Sequence, residues 1–170
     1  MASLMEELLQ VLKEEEQQYG TLIDLNDVKR EAIIKADIGT LEEVTVKEQE
    51  AASALLNLSN RRGRVLNDMA TVLGKDAEEM TINKMIGYLE SQPKEQQQLT
   101  EQRDRLLEAG TRMRIMNQQN ESLLKQALEM VEFDLTLLRS MRQAPETANY
   151  DRNAYNTGDL LGGSAFDAKQ

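Results

Sequence analysis

A chain of 170 residues with net charge −10 and neither histidine nor cysteine lacks the usual general base near neutral pH, a thiol nucleophile, ordinary zinc ligation and any disulfide framework. Aromatic residues make up 4% of it and there are two prolines, which argues against a thick globular core and for long helices built from Leu, Ala, Glu, Gln, Lys and Arg. The first fifty residues hold thirteen acidic and five basic side chains, so a phosphate backbone would be repelled and nucleic acid is not expected as a partner.

From Leu4 the apolar positions Leu8, Val11, Leu12, Tyr19, Leu22, Ile23, Leu25 and Val28 fall three or four apart, which predicts an amphipathic helix to about Ala36. Asp37, Ile38 and Gly39 break it. Thr40-Leu41-Glu42-Glu43 fits a capping box opening a second helix, through Val44, Ala51, Leu55, Leu58, Val65, Leu66, Met69 and Val72, with Gly74 as its stop. So short a turn predicts an antiparallel pair. Glu14, Glu15 and Glu16 then face Arg61, Arg62 and Arg64, as solvated charges that contribute little energy but support the register.

Thr81 begins a short helix expected to fold Ile82, Met85, Ile86 and Leu89 across one end of the hairpin. Pro93 suits a first helical turn, with Ser91 available as a cap, and the longest helix should run from about Lys94 to Arg142. Its seam traces as Leu99, Leu106, Gly110, Met113, Asn117, Asn120, Leu124, Ala127, Val131, Leu135 and Leu138. The amides Asn117 and Asn120 thus interrupt an apolar stripe. They act as buried register devices, or the seam opens there to water or a bound chain. The fold expected is all-α: an elongated antiparallel helical bundle or coiled coil over residues 1–143, then an irregular tail over 144–170. That tail has no sustained period and cannot fold alone, yet it carries Tyr150, Tyr155, Leu160, Leu161 and Phe166.

No catalytic constellation emerges. The carboxylate pairs Glu6-Glu7, Glu42-Glu43 and Glu78-Glu79 are helix neighbours that point in different directions, unlike two acids facing across a cleft. A carboxylate-bridged metal site in a helical bundle uses Glu-x-x-His, and the chain has no His. The glycines lack phosphate-cradling spacing. Neither enzyme activity nor a cofactor or metal is expected. Met113 and Met85 suit a core, whereas Met130 and Met141 suit either a core or an exposed surface for varied apolar partners. No run approaches the ~18 apolar residues of a membrane span, and the N-terminus lacks the basic start and apolar centre of a signal peptide. The expected location is the cytoplasm, without membrane insertion.

The acidic hairpin opening "MEELLQVLKEEEQQYGTLIDLNDVKREAIIKADIGTLEEV", the long helix bearing "NQQNESLL" and the tail with "NYDRNAYN" together resemble the FlgN-type flagellar export chaperones over nearly the whole chain. The resemblance implies a non-enzymatic chaperone that holds hook-filament junction proteins before they pass the flagellar type III export apparatus, itself a further partner. It also implies substrate binding by the C-terminal region, here the end of the long helix and the segment 149–166. The candidate partner-binding residues are Met130, Leu138, Met141, Tyr150, Tyr155, Leu160, Leu161 and Phe166, and weak homodimerisation is a further expectation. The competing class is a structural or regulatory coiled-coil module with no export role.

Overall fold

The computed structural model describes residues 1–147. They form four helices and, among the described residues, no strand: α1 (Ala2–Lys35), α2 (Ile38–Val72), α3 (Ile82–Tyr88) and α4 (Pro93–Thr147). The chain divides into two compact units, Met1–Leu124 and Lys125–Gln170.

In the first unit the reversal between α1 and α2 takes two residues. Ala36 adopts a left-handed conformation at φ 54°, and the Asp37 amide donates back to the Ala32 carbonyl at 2.9 Å. This closes the free carbonyls of a helix end in the usual way, with Ala where glycine is the common choice. Asp37 then caps α2. The Thr40 amide and hydroxyl donate to its carboxylate at 3.1 and 2.7 Å. The capping box expected at Thr40 is therefore displaced by three residues: Asp37 is an equally good acceptor placed earlier, and Gly39 becomes helical. At the other end α2 stops before Gly74, whose φ is +63°.

The hairpin is antiparallel, and the acidic run of α1 meets the arginines of α2. Arg61 pairs with Glu7 at 3.2 Å and with Glu14 at 3.5 Å, and Lys29 pairs with Glu48 at 3.1 Å nearer the turn. One member of the run is not a solvated charge. Glu15 is 2% exposed and accepts two bonds from Arg62, at 2.8 and 2.7 Å. Arg64 is exposed, and Glu16 instead accepts from Gln102 of α4 at 2.6 Å.

The core sits at the end of the hairpin away from its turn. Met5, Leu8 and Leu12 of α1 and Val65, Leu66 and Met69 of α2 close around Met85 of α3, Leu89 and Leu99 of α4. Thr81 caps α3 by accepting the Lys84 amide at 3.2 Å, which angles Met85 and Leu89 over the core as the sequence predicts. Helix α4 opens at Pro93, where a missing N–H does no harm. Gln92 rather than Ser91 takes the capping position, its carbonyl accepting the Gln96 amide at 2.9 Å.

Within this unit α4 runs parallel to α1 and antiparallel to α2. Three contacts set the register: Gln102 to Glu16, Gly110 beside the Tyr19 ring, where a Cβ would lie 3.7 Å away, and Asn120 to Asn26. The α4 residues turned inward are Leu99, Gln102, Leu106, Met113, Met116, Asn120 and Leu123. Asn117 and Leu124, expected on the same seam, are exposed. Beyond Leu124 the backbone of α4 continues through Ala144 and Pro145 to Thr147.

Candidate protein-binding site

The two seam amides have different fates. Asn120 is 2% exposed. Its side-chain amide donates to the Asn26 carbonyl at 2.7 Å and to the Asn26 side-chain oxygen at 3.1 Å. Asn26 in turn donates to the Leu22 carbonyl at 3.0 Å. A buried amide pair satisfied in this way fixes α4 against α1 at one position, since sliding either helix would strand its donors. Asn117 meets solvent and has no part in that lock. From Met113 a seam can step three residues to Met116 or four to Asn117, and the placement of α1 selects Met116.

In the second unit, α4 from Lys125 to Arg142 presents mostly exposed side chains. Of the predicted partner-binding residues, Met130, Leu138 and Met141 stand on this helix, 56–61% exposed. Tyr150, Tyr155, Leu160, Leu161 and Phe166 lie outside the described residues. Val131 and Leu135, expected in the seam, are exposed as well. Sequence reasoning missed three apolar neighbours, Leu128, Phe133 and Leu137.

Together these residues form two stripes. Leu128, Val131, Leu135 and Leu138 follow one another at steps of three and four. Met130, Phe133, Leu137 and Met141 form a second row, turned roughly 130° from the first at 100° per residue. Lys125, Glu129, Glu132, Thr136 and Arg139 share the remaining arc. There the Thr136 hydroxyl donates to the Glu132 carbonyl at 2.9 Å and the Ser140 hydroxyl to the Thr136 carbonyl at 3.1 Å. The signal for the missed row was present in the sequence, but tracing one seam keeps one row and discards the other.

This surface has the chemistry of contact rather than catalysis. Flexible thioethers and leucines on a helix accept apolar partners of varied shape, and a contiguous exposed apolar patch marks an interaction surface. Among the described residues no helix is long and apolar enough to cross a membrane.

Residues 1–158 match the family model described as "FlgN: FlgN protein". No curated protein and no solved structure matches the chain.

Proposed function

Because the chain belongs to the FlgN family, a family of flagellar export chaperones, we propose that its cargo is the hook-filament junction proteins and that the apolar rows of α4 after Lys125 hold them in the cytoplasm before export. The observation that carries this reading is the exposure of Leu128, Met130, Val131, Phe133, Leu135, Leu137, Leu138 and Met141, each 48–63% open to solvent.

Terminal segments that become coiled helices only on assembly would associate through their apolar faces beforehand. A helix with two apolar rows can cover such a segment. Burying the exposed part of each side chain contributes about 1 kcal/mol, so the eight together give a gross gain on the order of 8 kcal/mol. Ordering and association costs of comparable size oppose this gain, so the helix rows alone give weak binding that is readily reversed at the export gate. Tyr150, Tyr155, Leu160, Leu161 and Phe166 extend the same apolar chemistry along the chain, and the export apparatus is the proposed second partner.

Co-purification with a junction protein is the test. Leu135→Asp with Leu138→Asp, truncation after Ala144, and Leu160→Asp with Leu161→Asp are each expected to weaken retention while the helical circular dichroism of residues 1–124 persists. Full retention by all three variants would remove the carboxyl half from the mechanism. The 4-3 spacing of Leu124, Leu128, Val131, Leu135 and Leu138 also suits pairing with a second copy. Light scattering on the isolated chain separates the two readings: a tight dimer lost in the Leu135→Asp variant favours self-association, and a monomer favours cargo.

A further inference from the structure

The unit Met1–Leu124 carries an open groove of about 960 Å³, none of whose lining residues lies beyond Asn117. One wall is α2 around Gly63, and the other is α4 from Arg103 to Asn117. At 1.5 Å per residue that second wall is about 21 Å long, close to four helical turns. Leu66, Met80, Ile82, Leu106 and Met113 give the groove an apolar lining, in line with the mostly apolar walls of binding clefts.

Its charge runs against the rest of the molecule. The chain has 30 acidic and 20 basic residues, and at that composition seventeen lining residues would include three carboxylates. The groove has none, and it has three arginines, Arg62, Arg103 and Arg114. Arg62 is engaged by Glu15 and Arg103 by Asp104 and Asn83. Arg114 is exposed and makes no ion pair among the described residues.

Gly63 adds a second observation. A glycine in mid-helix is disfavoured relative to alanine, so it calls for a reason. A Cβ at this position would meet nothing within 4 Å, so packing within the chain does not supply one. The groove is therefore open at this position to a close approach by another backbone.

We propose that this groove docks an amphipathic helix of about four turns from a partner protein, its apolar face inward and a carboxylate on its flank against Arg114. The mode is helix-in-groove recognition, with apolar anchors at i, i+3 or i+4, and i+7. The acidic flank sets partner choice through charge complementarity. This docking site is distinct from the cargo surface proposed on α4 after Lys125.

The test uses the full chain and two labelled synthetic helices of fourteen residues, with the same Leu and Ala positions and either Glu or Lys on the flank, followed by fluorescence anisotropy. The Glu peptide binds saturably and more weakly as salt is raised, whereas the Lys peptide binds at least about tenfold less tightly. Gly63→Leu, which fills the groove, and Arg114→Glu, which breaks no described ion pair, each weaken the Glu peptide by about tenfold or more. Both variants keep the parent's helical circular dichroism. Equal binding of the two peptides overturns the proposal, and so does binding unmoved by Arg114→Glu. A dimer of the chain that Gly63→Leu abolishes also overturns it, since the occupant is then a second copy. Junction-protein retention is expected to be unchanged in both variants; its loss would make the export cargo the occupant and eliminate a separate partner.

Discussion

Helix α4 treats its apolar side chains differently on either side of Leu124. Before it, the inward face combines Leu99, Leu106, Met113, Met116 and Leu123 with the polar Gln102 and Asn120, and these are buried or half-buried. After it come Leu128, Val131, Phe133, Leu135 and Leu138, and these are exposed. Leucines and methionines stand on both stretches, so side-chain hydrophobicity alone does not determine burial along this helix. The first stretch is held by specific polar bonds to α1, which act as a lock. The second offers non-directional apolar area, which can cling to more than one partner shape.

The most damaging way to break the first half is Asn120→Asp. Both groups facing position 120 from Asn26 are acceptors, and a carboxylate has no proton to give them. A buried, unpaired charge would replace a satisfied amide, and the expected loss is about 3 kcal/mol or more, read from the urea midpoint. Asn120→Ala leaves the two Asn26 oxygens without their donor and should cost about 2 kcal/mol. An Asn120→Asp protein as stable as the parent would mean that α4 is not locked at this position.

Much of this lock was legible in the sequence, and the parts that were not have identifiable physical causes. The α1–α2 break, the stop at Gly74, the start at Thr81 and the meeting of the acidic run with Arg61 and Arg62 all rest on local rules of capping, conformation and spacing. The cap of α2 was misplaced because Asp37 and Thr40 both qualify as acceptors and only the turn geometry at Ala36 decides between them. Both amides were traced in the stripe with burial or solvent left open; Asn120 is buried and Asn117 exposed, because the choice between Met116 and Asn117 belongs to the position of α1. For the carboxyl half, helical spacing identifies which residues share a row. It does not tell whether a row is covered, so the exposure of Leu128, Phe133 and Leu137 emerged only with the structure.

Two carboxylates sharpen the comparison within the first unit, with smaller effects of opposite sign. Burial raises the Glu15 carboxyl above its ordinary value against the pull of Arg62. The hydrogen bonds from Thr40, side chain first, hold Asp37 below its own. Asp37 contributes stability above its unfolded pKa, and that contribution is lost as the pH falls through its lowered folded value. Glu15 behaves the other way: its contribution is present below the unfolded pKa and is lost as the pH rises through the raised folded value. In melts at several pH values, Asp37→Asn should lower Tm at neutral pH, with the difference closing in acid. Glu15→Gln should gain on the parent as the pH rises from about 4 to 7. A Glu15→Gln protein that instead falls further behind the parent over that range would show Arg62 outweighing burial.

The smallest expected effect is the one that best separates the two halves of α4. Replacing Val131 and Leu135 together with Gln removes apolar atoms that are already 48–54% exposed and substitutes a residue of good helix propensity. Little burial is lost, so the unfolding free energy should move by no more than about 0.5 kcal/mol. A loss of 2 kcal/mol or more, on the scale of emptying a core site, would mean that these side chains are packed within the folded chain. The carboxyl stretch would then be a second core, and the proposed cargo surface would disappear. An unchanged urea midpoint together with lost junction-protein retention would instead mean that this apolar face contributes little to the chain's own stability and much to its contact with a partner.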